Sequence, residues 1–84
     1  MPSSLQDRFN AAAEKARGIS GVSNGNKLQL YSLFKQATEG SIGDRPRPGI
    51  LNQEGRAKYD AWAELGDLSQ DYAKQQYIAL VETL

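Results

Sequence analysis

Glycine and proline cut the chain into four segments, and in each of them apolar residues recur at spacings of three and four. No stretch alternates with period two for long enough to make a strand. The expected fold class is therefore all-α, four helices around one core, as a single domain over residues 1–84. The first segment starts near Ser3 or Ser4, where Ser3 with Gln6 or Ser4 with Asp7 offers a capping box, and stops at Gly18. Leu5, Phe9, Ala12, Ala13 and Ala16 share its stripe, and the alanines permit close approach of a neighbour. The run GISGVSNGN, Gly18 to Asn26, reads as a loop ending in an asparagine cap, so that helix two covers Lys27 to Glu39.

In helix two Leu28, Leu30, Tyr31, Leu33, Phe34 and Ala37 are too many for one narrow stripe. This breadth predicts burial against several neighbours, or against a ligand as well as a core. The loop GSIGDRPRPG that follows contains two prolines and cannot continue a helix. Helix three starts near Asn52 and ends before Gly66, with Ala57, Lys58, Ala61, Trp62 and Leu65 in register and Lys58 on the Trp62 face. Helix four has Ser69 as its cap and Ala73, Tyr77, Leu80, Val81 and Leu84 as a continuous stripe.

Composition narrows the chemistry. Ten basic and ten acidic residues cancel, so any anion site is local and no nucleic-acid partner is expected from an overall positive field. Cysteine and histidine are both absent. That removes thiolate nucleophiles, serine–histidine triads, the usual general base near neutral pH and the common zinc ligand sets. Carboxylates, lysine and tyrosine leave catalysis unsupported rather than forbidden, and no phosphate-loop, dinucleotide or calcium-loop pattern occurs. The opening MPSSLQDRF has no basic stretch leading into an apolar run, and the longest apolar run, Tyr77 to Val81, is far short of a membrane span. The expectation is a cytoplasmic monomer without stable membrane insertion, without a metal and without a cofactor.

Read from spacing alone, the candidate binding residues lie on helices two, three and four. Tyr31 and Lys35 are four apart and so share a face, with Phe34 one step round it. A phenol, an ammonium and an aromatic ring together suit a nucleotide, whose base stacks while its phosphate is held by charge. The same spacing also fits the more ordinary arrangement, with Tyr31 and Phe34 as core and Lys35 snorkelling past them. Lys58 carries the same two readings. Tyr77 fits a core tyrosine with its hydroxyl at the rim, and Phe9 and Trp62 are assigned to the core.

The run YSLFKQATEG, Tyr31 to Gly40, resembles the YxxYKQATxGD signature of the acyl-CoA-binding protein family, and AKYDAW, Ala57 to Trp62, looks like that family's AKWDAW. FNAAAEKAR, Pro48-Gly49 and YIALVE fall in the family's order, so the resemblance spans essentially the whole chain. It implies a four-helix bundle of the acyl-CoA-binding type, with a surface bowl that holds coenzyme A and the acyl chain tucked beneath the nucleotide. No covalent step is implied, and the ligand is a long-chain fatty acyl-CoA. By similarity Tyr31, Lys35 and Lys58 match the positions that bind the adenine nucleotide and its 3′-phosphate, and Phe34 matches a ring against which adenine packs. Tyr77 matches the helix-four tyrosine of the site and Arg17 a cation near the phosphates. Leu28 and Ala13 match the wall that meets the acyl chain.

The sequence departs from the pattern at several points. Phe34 stands for a usual tyrosine, Lys27 for a frequent hydrophobe, Ser41 for aspartate and Tyr59 for tryptophan, and the RPRPG loop is its own. None of these removes a matched cation. Two further classes compete with a carrier: a module that docks a partner helix on an apolar face, and an acyl-transfer or thioesterase enzyme acting on the same ligand.

Overall fold

The computed structural model describes residues 4–84 and contains four α-helices: α1 (Leu5–Arg17), α2 (Asn24–Glu39), α3 (Gln53–Ala63) and α4 (Gln70–Thr83). No strand occurs among the described residues. Each helix begins at a side-chain cap. Ser4 Oγ accepts from the Asp7 amide at 3.0 Å, Ser23 Oγ from Asn26 at 3.1 Å, Asn52 Oδ1 from Gly55 at 2.9 Å and Ser69 Oγ from Tyr72 at 3.1 Å. Such bonds satisfy amides that have no partner within the helix. The alternative cap at Ser3 lies outside the described residues.

Helix α2 corrects the sequence reading. It starts at Asn24 rather than Lys27, because Ser23, in an extended conformation, caps it and Asn26 becomes part of the first turn. Gly25 is tolerated there because a first turn makes few intrahelical bonds. At its other end Gly40, with φ 82°, leaves the helix through a backbone region that a side chain enters only at a cost. The Gly40 amide donates to Gln36 O at 3.0 Å.

The helices pack in the order α1, α4, α2, α3, so that α4 and α2 each have a helix on both sides. The breadth of apolar residues on α2 follows from this middle position. The core comprises Phe9, Ala12, Ala37, Ala73, Tyr77 and Val81. Phe9, Phe34 and Tyr77 meet with ring centroids 5.1 to 6.0 Å apart, which joins α1, α2 and α4 at one aromatic corner.

A second buried centre joins α2, α3 and the loop before α4. Gln36 is fully buried, and its Nε2 donates to Gly66 O at 3.0 Å and to Leu68 O at 2.8 Å. Its Oε1 accepts from Trp62 Nε1 at 3.0 Å, and the same indole N–H is shared with Gly40 O at 3.0 Å. Phe9 and Trp62 are buried as the helical spacing predicts. The long loop between α2 and α3 is tied to α3. Arg47 makes a two-pronged pair with Asp60 at 3.0 and 2.7 Å, Tyr59 OH donates to Arg45 O at 2.8 Å, and Arg56 Nε donates to Pro48 O at 2.9 Å.

Candidate functional site

Two grooves adjoin on one side of α2, and Tyr31 lines both. The larger, about 610 Å³, lies between α2 and α3 and is walled by Asn24, Lys27, Leu28, Tyr31, Glu54, Ala57 and Lys58. The smaller, about 340 Å³, is bounded by Ala13, Ala16, Arg17, Leu30, Tyr31, Phe34 and Tyr77 from α1, α2 and α4. Helical register explains the sharing: Leu28 and Tyr31 are three apart, as are Tyr31 and Phe34, so the three side chains follow one ridge across both openings.

Seven of the eight sequence-derived candidates line one groove or the other. Leu28, Tyr31 and Lys58 wall the larger; Ala13, Arg17, Tyr31, Phe34 and Tyr77 wall the smaller. Leu28 and Ala13, paired on one acyl wall by the resemblance, thus stand on either side of Tyr31. Lys35 lines neither groove. Its ammonium pairs with Glu39 and lies 5.2 Å from the centre of the Trp62 ring, against which Arg45 also rests at 4.6 Å.

The spacing that sets Tyr31 and Lys35 on one face does not bring their polar ends together, because Glu39, one turn on, draws the ammonium away. The cation beside Tyr31 is instead Lys58, with Nζ 5.4 Å from the ring centre and 3.2 Å from Glu54. Lys58 therefore serves Tyr31, and Lys35 takes the place by Trp62 that the register of α3 had suggested for Lys58. Arg17 is exposed and paired with Glu14 at 2.9 Å. Every matched cation thus rests on a carboxylate one turn away, in an exposed or half-exposed pair that costs little to exchange for another anion.

Electrostatics follows this arrangement. The Lys35 hydrogen bond holds the Glu39 carboxyl below its ordinary range, with the charges of Lys35 and Arg45 adding to it. The Arg47 hydrogen bond does the same to Asp60. Burial pushes the Tyr77 phenol, which lines the smaller groove, above its ordinary value. Phe34 is 39 % exposed, leaving part of its ring open over the smaller groove. Lys27 lines the larger groove and makes no ion pair among the described residues.

Sequence reasoning left two parts of this arrangement unread. Gln36 lies inside the quoted motif but supports the fold, and the available signal was its place between Leu33 and Ala37 in the apolar arc of α2. Glu39 and Glu54, the resting partners of the two lysines, follow from i,i+4 spacing that is visible in the sequence.

Adjoining grooves walled by rings and cations on a four-helix fold define a small helical ligand-binding protein. The family model for Acyl CoA binding protein matches residues 6–81, and the chain belongs to that family. An acyl-CoA-binding protein homolog of Manduca sexta is 44% identical over 82 residues, covering 96% of this chain and 91% of its own. An acyl-CoA-binding domain-containing protein 1 of Oryza sativa subsp. japonica is 46% identical over 81 residues, with 95% and 88% covered. Among solved structures, Oryza sativa Acyl-CoA-Binding Protein 2 superposes with a TM-score of 0.91 at 43% identity over 96% of this chain and 90% of that one. The chain is also 40% identical to part of a rat enoyl-CoA delta isomerase 2, of which it covers 21%. The resemblance carried by YSLFKQATEG and AKYDAW is thereby borne out for family and fold.

Proposed function

We propose that this protein binds long-chain acyl-CoA esters without transforming them and carries them as a monomer in the cytoplasm. The observation that carries this reading is Tyr31 standing between two grooves of different character. The larger offers Leu28, Ala57 and the Tyr31 ring to an acyl chain. The smaller offers the open face of Phe34 to an adenine, with Arg17 at its edge. Lys58 lies by the Tyr31 ring where the phosphates of a ligand spanning both grooves would pass, and Lys35 reaches the head by leaving Glu39.

A carrier of zero net charge meets a polyanionic head by grouping its cations, since charge-assisted hydrogen bonds are stronger than neutral ones. The acyl chain supplies the apolar term. At about 0.8 kcal/mol per buried methylene, affinity rises roughly fourfold per carbon until the groove is full. The chain carries neither histidine nor cysteine to activate a thioester, and incubation with ligand is expected to release no free thiol.

Calorimetric titration with palmitoyl-CoA, run beside free coenzyme A and free palmitate, tests the proposal. One-to-one binding far tighter for the ester than for either part, and rising from hexanoyl to palmitoyl, is the expected result. A flat affinity across chain length would refute the apolar half. Failure of the ester to bind would leave the module that docks a partner helix as the better account.

A further inference from the structure

The segment Gly49 to Asn52 is a β-turn closed by Asn52 N–H to Gly49 O at 2.9 Å, and its two central residues are Ile50 and Leu51. Turn centres favour glycine, proline, asparagine, aspartate and serine. Here they carry two large apolar side chains, 72 % and 97 % exposed, the most exposed large hydrophobes among the described residues. Packing does not explain them, and the turn cannot fold them inwards. Its flanks are held by Arg56 to Pro48 O, by Tyr59 to Arg45 O and by Arg47 on Asp60, and Asn52 is itself the cap of α3.

We propose that this turn is a lipid contact: Ile50 and Leu51 enter the headgroup region of a membrane and present the larger groove to it. The turn leads directly into the end of α3 that supplies Glu54, Ala57 and Lys58 to that groove. An amphiphile leaving a bilayer would therefore meet the acyl wall next to the point of contact. Two side chains offer far less area than the roughly 800 Å² per partner of a specific protein interface. A lipid interface takes up apolar groups singly, so two are enough for a transient contact.

Charge agrees with this occupant. Between Arg45 and Lys58 lie four cations, Arg45, Arg47, Arg56 and Lys58, and one acid, Glu54, in a chain with no net charge. Because Arg45, Arg47 and Lys58 are already paired with Glu39, Asp60 and Glu54, insertion of the apolar pair leads and anionic headgroups add to it.

The purpose of the contact rests on the proposed function, but the contact itself is measured without acyl-CoA. The unliganded protein is floated with vesicles of phosphatidylcholine, and with vesicles in which a third of the lipid is phosphatidylserine. Wild type is expected to float with both, more strongly with the second. The double variant Ile50→Ser/Leu51→Ser should lose roughly tenfold or more of its partition while keeping its thermal midpoint and its titration with palmitoyl-CoA. Leu51→Trp, which keeps an interfacial side chain, should float as wild type does. Flotation of wild type alongside failure of the palmitoyl-CoA titration would uphold the lipid contact and defeat the carrier reading instead. The proposal is overturned if wild type floats with neither vesicle, if the double variant floats equally well, or if the pair proves necessary for self-association in the absence of lipid.

Discussion

Lys35 and Gln36 are neighbours in the quoted motif and have opposite fates. Lys35 points outwards to a carboxylate and the Trp62 ring, while Gln36 is buried and donates to two carbonyls of the loop before α4. The motif thus combines a candidate ligand contact with a structural tie. Gln36→Ala would leave Gly66 O and Leu68 O without their donor and is expected to cost about 2–4 kcal/mol of stability, read as a lower denaturant midpoint. Its effect on palmitoyl-CoA affinity should be far smaller in the fraction that remains folded. Lys58→Ala is expected to do the reverse. In the proposed complex it would remove a charged bond worth about 1.5–3 kcal/mol, weakening binding roughly ten- to a hundredfold, with little change in midpoint because its pair with Glu54 is exposed. Lys35→Ala should also weaken binding, and by less, because Lys35 lines neither groove and its pair with Glu39 is less exposed than that of Lys58 with Glu54. Binding indifferent to both lysines would favour the docking module.

Among the elements, α2 shows both what the sequence discloses and where it stops. Its broad apolar surface predicts several neighbours, and α3 and α4 flank it on either side. Its start lies three residues before the expected one because Ser23, Asn24 and Asn26, around Gly25, all suit a cap, and only the backbone decides which one turns. Ser23→Ala should cost about 1 kcal/mol and speed hydrogen exchange of the Asn26 amide, whereas removal of the Asn26 side chain should do neither. The candidate site was legible to the same degree. Spacing along one helix places Leu28, Tyr31 and Phe34 on a common ridge. The meeting of Tyr31 with Lys58, and of Lys35 with Trp62, depends on how α3 docks, and no local pattern encodes that. The loop before α3 reads as irregular in sequence, yet Arg47, Tyr59 and Arg56 fasten it through partners more than one turn away.

At the scale of the whole molecule, stability varies with groups that titrate at both ends of the pH range, two paired carboxylates and one buried phenol. Glu39 and Asp60 have folded values depressed below 4.5 and 3.8, so the stability they add is present above those values and disappears as pH falls through the folded ones. Tyr77 has a folded value raised above 10.0, so the unfolded chain ionises first and stability declines in more alkaline solution. Denaturant midpoints should therefore be level near neutrality and fall at each extreme. Arg47→Ala should flatten part of the acid limb, and an unchanged limb would remove Asp60 from the account.

In the proposed complex one ester occupies both grooves across Tyr31. The most direct test is to follow backbone amide shifts in the nitrogen-labelled protein as palmitoyl-CoA is added. Shifts are expected at Leu28, Tyr31, Ala57 and Lys58 together with Ala13, Arg17, Phe34 and Tyr77, all saturating at one equivalent, while Gln29, Leu33 and Leu80 on the other side of α2 and α4 stay in place. Shifts confined to one groove, or centred on Leu33 and Leu80, would contradict that occupancy.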